Sequence, residues 1–203
     1  MKASEKVELR KIYEDRKAVL RRRYAHLDWN LSRFDFPFEQ IVKMVWTPDD
    51  AWLYSTFFIE PDLDFIMPKE KGWFIAHSAR ITHQRRKGIC SDRSVSAYGL
   101  LSEEYEPRIV CLTGGEPGHA MTVYKENGKY GSLSNAVRES MVRRDAEYDS
   151  LIALLRTYNW QRYTVYNWKE IYPNFMTQTR LMRFRWQSTD DVRPQTPVWA
   201  MEF

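Results

Sequence analysis

The chain contains few cysteines and no long apolar run. Its 203 residues include two cysteines, Cys90 and Cys111, so at most one disulfide bond can form. The start of the chain, residues 1–6, lacks the apolar stretch of a secretory signal, and no apolar run approaches the roughly 20 residues that span a bilayer. These absences predict a soluble, cytoplasmic protein with no membrane partner and with both thiols free.

The sequence also lacks internal repeats, low-complexity tracts and an evident linker. With 43% hydrophobic residues, the chain can bury a sizeable core. We therefore expect a single domain over residues 1–203, with a core at about 72–190 and an N-terminal helical extension at about 1–71. The 31 basic residues are nearly balanced by 27 acidic ones, which argues against a nucleic-acid partner.

Local patterns predict a mixed α+β fold. The Asn127-Gly128 pair between two extended runs is the strongest hairpin signal in the chain, because both turn positions favour positive φ. Thr47-Pro48 has the residue types of a helix start. The other patterns predict helices at residues 4–26, 91–104 and 136–158, and strands at residues 108–113, 119–125, 130–133, 163–166 and 180–186.

Two segments about thirty residues apart carry the residues with the clearest chemistry. Cys90 stands at the predicted start of a helix, and His119 opens the first strand of the hairpin. A helix N-terminus and a nearby imidazole both favour the reactive thiolate form of a cysteine. The sequence thus predicts a nucleophile, Cys90, and a general base, His119. The second strand of the hairpin offers Asn135, or more weakly Ser134, to orient the imidazole.

Other residues near Cys90 allow a functional or an ordinary structural interpretation. Gln84, six residues upstream, is a candidate donor to an oxyanion. The loop 114–118 either gives a substrate access to the backbone or is a simple turn between strands. The basic run 85–87 either binds an acidic substrate, lowers the thiol pKa or is solvated surface.

The histidines and cysteines do not have the spacing of a metal site. Three histidines and one cysteine lie in the central part of the chain, at His77, His83, Cys90 and His119. Their spacing matches no recognised ligand pattern. We expect neither a metal nor another cofactor.

These motifs resemble the transglutaminase-like branch of the papain superfamily, and most of all bacterial transglutaminase-like cysteine proteinases. Members carry a cysteine at a helix start, often as Gly-x-Cys-x-Asp, and a histidine opening a hairpin. Cys90 and His119 match the catalytic pair, Asp92 matches the motif acid, and Gln84 matches the oxyanion glutamine in spacing. The chain departs from the family at Leu133-Ser134-Asn135, where Leu-Asp-Asn would match best.

The resemblance covers about residues 72–136. It implies a catalytic helix packed on an antiparallel sheet, with N-terminal helices and C-terminal aromatic strands as additions. It also implies a thiol hydrolase or acyltransferase acting on an amide bond of a protein or peptide. The alternative is a catalytically weakened scaffold that binds a protein or a nucleic acid. The oligomeric state is not predicted.

Overall fold

The computed structural model describes residues 3–65, 73–113, 118–136, 142–158, 162–185 and 199–202, which form an α+β fold. The expected first helix and the helix that begins at Cys90 are both present. The α-helices are α1 (Ala3–Arg23), α2 (Phe38–Ile41), α3 (Pro48–Leu53), α4 (Ala79–Arg85), α5 (Cys90–Leu100), α6 (Leu151–Leu155) and α7 (Trp168–Ile171). A π-helical turn, Tyr54–Phe58, continues α3.

The strands of the described residues form one large sheet and two small pairs. They are β1 (Glu60–Pro61), β2 (Trp73–Ala76), β3 (Lys87–Gly88), β4 (Arg108–Thr113), β5 (His119–Glu126), β6 (Lys129–Asn135), β7 (Val142–Tyr148), β8 (Arg162–Tyr166), β9 (Met182–Arg185) and β10 (Trp199–Glu202). The order in the large sheet is β10-β8-β4-β5-β6-β7, and all of its neighbours are antiparallel. The pairs are β1 with β3 and β2 with β9.

The predicted hairpin is confirmed, and its turn explains its register. Asn127 and Gly128 have φ values of 52° and 79°, the left-handed conformation that these residue types tolerate best. The two-residue turn pairs Glu126 with Lys129 and continues to Thr122 opposite Leu133. The turn thereby sets which residues of β6 approach the start of β5.

The predicted helix over residues 136–158 is wrong. Residues 142–148 form strand β7 on the edge of β6, and a short helix follows at Leu151–Leu155. Residues 137–141 lie outside the described part of the chain. Charged residues and alanine gave this segment a helical composition, but strand pairing overrides such weak local preferences. The alternating exposure of Arg144, Asp145, Ala146 and Glu147 is the period of a strand.

The segment before residue 72 shares a hydrophobic core with the large sheet. Buried side chains of α1, α3 and the π-helical turn pack in one cluster with Tyr124, Leu133 and Val142 of the sheet. The Tyr13 hydroxyl also donates to the Thr56 carbonyl at 2.7 Å. The expected N-terminal extension is therefore packed against the elements that carry the candidate site.

Helix α5 packs on the face of β5 and β6. The Thr122 hydroxyl donates to the Ser94 carbonyl at 2.8 Å. Val95 and Tyr98 of the helix pack with Cys111 and Ala120 of the sheet. This packing places the beginning of α5 beside the beginning of β5.

Helix α3 begins with the predicted Thr47 N-cap. The Asp50 N–H donates to the Thr47 hydroxyl at 3.2 Å, and the Thr47 N–H donates to the Asp50 carboxylate at 3.4 Å. We expect Thr47→Ala to lower the free energy of unfolding by about 1 kcal/mol, because it removes this cap. Urea denaturation measures the change, with Thr47→Ser as the control that retains the hydroxyl. Equal losses in the two variants would contradict the role of the cap.

Candidate active site

Cys90 is the first residue of α5 and lies against β5. Its side chain is half-buried and packs beside the cluster that contains Ala120 and Cys111. Burial raises the pKa of the Cys90 thiol, and hydrogen bonding by the backbone N–H of Ala120 acts in the opposite direction. Both cysteines are free thiols. The resting sulfur is thus a neutral thiol.

His119 is buried at the first position of β5, one residue before Ala120. Its Nε2 lies 3.1 Å from the Ser134 hydroxyl oxygen. Burial, followed by the charge of Arg93, lowers the pKa of His119 to about 3. The imidazole is therefore neutral at pH 7 and able to accept a proton, but burial makes it a weaker base than a solvated histidine. Among the hydrogen bonds of the described residues, none joins the His119 ring to the Cys90 sulfur.

The structure brings Ser134, rather than Asn135, to the imidazole. The Asn135 amide instead donates to the Cys90 carbonyl at 3.0 Å and to the Ser94 hydroxyl at 3.2 Å. Asn135 is almost fully buried, so both bonds form away from water. Asn135, whose amide would orient a histidine better than a serine does, thus joins β6 to the first turn of α5.

Asp92 is fully buried and holds the entry to α5. Its carboxylate accepts the Ile89 N–H at 2.9 Å and the His77 backbone N–H at 2.6 Å. The same carboxylate lies 3.1 Å from Nδ1 of the His77 ring. The motif acid therefore fixes the chain on the N-terminal side of Cys90, and an acidic group in the first helical turn also suits the helix dipole.

Gln84 is exposed, and Arg85 and Arg86 of the basic run pair with carboxylates, while Arg85 also lies 3.1 Å from Nε2 of His77. Gln84 is exposed on α4, and its side chain makes no hydrogen bond with any described residue. Arg85 pairs with Asp62 and Arg86 pairs with Asp35, each at 2.5 Å. These cations are thus engaged by carboxylates, and loop residues 114–117 lie outside the described chain.

Arg93 is a buried cation whose charge acts on the site residues, and the sequence alone did not single it out. Its guanidinium donates to the Ser55 carbonyl at 2.5 Å and to the Thr56 carbonyl at 2.7 Å. Its charge lowers the pKa of both Cys90 and His119. Its place one turn into the helix that starts at Cys90 was the only hint in the sequence. Its partners could not be predicted, because they lie 37 and 38 positions away along the chain.

Within the described ranges, no group of three or more histidine, cysteine or acidic side chains could hold a metal ion. No helix in this part of the chain is long and apolar enough to cross a membrane. Comparison with protein-family models and with curated proteins found no match. The site is therefore interpreted from its own geometry.

The lowered pKa of His119 predicts a loss of stability in acid. The unfolded chain binds a proton near the ordinary histidine pKa of about 6.5, whereas the folded chain resists protonation down to about 3. Stability attributable to His119 should therefore fall as the pH drops below 6.5, by about 2–3 kcal/mol at pH 4.5.

Urea unfolding from pH 7 to pH 4.5 tests this expectation. His119→Asn should lose less stability over that range than the wild-type protein. His26→Asn, which removes an exposed imidazole, is the control and should follow the wild type. A His119→Asn profile parallel to that of the wild type would show that the buried imidazole is not responsible.

Proposed function

We propose that this protein is a papain-like thiol hydrolase or acyltransferase that acts on an amide bond of a protein or peptide, in the cytoplasm. Cys90 is the nucleophile, His119 the general base and Ser134 the residue that orients the imidazole. The observation that carries the proposal is the arrangement at the start of β5. There, the Cys90 side chain packs against the cluster that contains Ala120, and the adjacent His119 has its Nε2 engaged by Ser134.

In the proposed reaction, Nδ1 of His119 takes the thiol proton as the sulfur attacks the carbonyl carbon. The imidazolium then gives this proton to the departing amine, which leaves a thioacyl intermediate on Cys90. Water or a second amine attacks that intermediate, His119 accepts its proton, and the thiol is restored. The resting thiol is neutral, so proton transfer accompanies attack and the site needs no preformed ion pair.

Serine orients the imidazole less strictly than a carboxylate does. Its hydroxyl accepts the Ala136 N–H at 3.4 Å and can either accept from His119 Nε2–H or donate to Nε2. Only the first arrangement leaves Nδ1 free to accept the thiol proton. A carboxylate has no proton to donate and would therefore enforce the productive tautomer.

Ser134 also supports a second function. A site whose orienting residue is a hydroxyl, and whose imidazole is not hydrogen-bonded to the thiol, is consistent with a papain-like scaffold that has lost most of its catalytic power. Such a protein would bind a protein or nucleic-acid partner without forming a thioacyl intermediate. The reactivity of Cys90 separates the two functions.

Thiol labelling tests the nucleophile. Iodoacetamide at about pH 6 should label the wild-type protein at Cys90 faster than an ordinary thiol of pKa near 8.5, because the neighbouring base assists attack. Cys90→Ala should abolish this labelling and Cys111→Ala should retain it, since Cys111 is buried. Labelling of the wild type and Cys90→Ala to the same extent would exclude catalysis by Cys90.

Replacing Ser134 with an acid tests the orienting role. Ser134→Asp should raise the pKa of His119 and speed alkylation of Cys90 by about tenfold or more, because the carboxylate selects the productive tautomer. Ser134→Asn, of similar size but uncharged, is the matched control. Mass spectrometry gives the alkylation rates, and urea unfolding verifies that both variants fold. Equal rates for the two variants would show that Ser134 does not act on the imidazole.

A further inference from the structure

We propose that Trp52 is a positioning residue of this site, acting through the backbone of Ser134. The Trp52 indole N–H donates to the Ser134 carbonyl at 3.1 Å, across 82 positions of sequence. Both residues are fully buried. An effect of this contact on catalysis rests on the proposed function. An effect on the position of the His119 ring does not.

The contact falls where the regular pairing of β6 is interrupted. Leu133 is the last residue of β6 paired with β5. On the other side, the pairing with β7 is irregular between Ser132 and Asn135. Ser134 thus lies within this irregular part of β6, and an indole donor from outside the sheet binds its carbonyl there.

Trp52 is itself held rigidly. The rings of Tyr24 and Phe57 lie edge-on to it, with centroid separations of 4.9 and 5.2 Å. The Arg143 guanidinium lies 4.8 Å from the centroid of the indole ring, and it pairs with Asp49 and Asp145. The donor therefore stands on a packed surface and is not free to follow Ser134 if that residue moves.

The position of Ser134 matters because the Ser134–His119 hydrogen bond would be lost after a small displacement. At 3.1 Å, the Oγ to Nε2 separation is near the long end of the usual range for hydrogen bonds. A shift of the Ser134 backbone by about 1 Å would break it, and misplacement on this scale can lower the rate of a catalysed step by up to about a hundredfold. The N-terminal segment thereby contributes to the site without contacting a substrate.

Trp46 provides a matched control for Trp52. It is buried in the same hydrophobic cluster, and its indole donates to the Ile41 carbonyl at 2.9 Å. Replacing either tryptophan with phenylalanine removes one buried indole–carbonyl hydrogen bond and a similar volume. Only Trp52→Phe removes a bond to Ser134.

The experiment compares the wild type, Trp52→Phe and Trp46→Phe. Nitrogen-15 NMR of the histidine rings, with His119 assigned from His119→Gln, reports the hydrogen bonding of Nε2. We expect Trp52→Phe to shift the His119 Nε2 resonance and to slow Cys90 alkylation by about tenfold. Trp46→Phe should leave both as in the wild type. Unchanged His119 resonances in Trp52→Phe, or equal shifts in both variants, would overturn the proposal.

The two proposals fail separately. If wild-type Cys90 reacts no faster than an ordinary thiol, the proposed function fails while the His119 resonances still decide the role of Trp52. If Trp52→Phe does not fold, Trp52→Leu and Trp46→Leu, which also remove the indole donors, replace the pair and are read by the same His119 resonances. His119 should shift only in the Trp52 variant; unchanged His119 resonances there would overturn the proposal.

Discussion

The contact between the first turn of α5 and the hairpin strands determines the arrangement of the whole site. Asn135 donates from β6 to the Cys90 carbonyl and the Ser94 hydroxyl, and Thr122 donates from β5 to the Ser94 carbonyl. These bonds are buried, so a partner left without its bond would cost roughly 1–3 kcal/mol. These bonds join the helical turn that carries Cys90 to the strands that carry His119 and Ser134.

Burial gives the thiol and the imidazole the same preference for neutrality. It raises the pKa of Cys90 and lowers that of His119, because both charged forms are poorly solvated. A preformed thiolate–imidazolium pair would have to offset two such costs. The charge of Arg93 stabilises a Cys90 thiolate but destabilises a His119 imidazolium. The site therefore keeps its proton on sulfur until His119 takes it during attack.

Features of the fold and the site that depend on neighbouring residues could be predicted from the sequence, whereas those that depend on contacts between distant residues could not. The hairpin followed from two residues, Asn127 and Gly128, whose conformational preferences act locally. Strand β7 was mistaken for helix because its composition is helical and its pairing with β6 is a tertiary contact. The residues Cys90 and His119 were identified from their types and positions. Nothing in the sequence indicated that Ser134 would face the ring and Asn135 the helix, or that Trp52 would reach across to Ser134.

The length of the hairpin turn has a consequence for how this chain can vary. Side chains alternate between the two faces of a strand, so a shift of one residue in pairing moves each of them to the opposite face. If the turn stays at two residues, one residue inserted between Asn127 and Gly128 would bring Leu133 or Asn135 to the place that Ser134 now takes beside the imidazole. Sequence change at this solvent-exposed turn is therefore constrained by the chemistry at the far end of the strands, although no turn residue touches it.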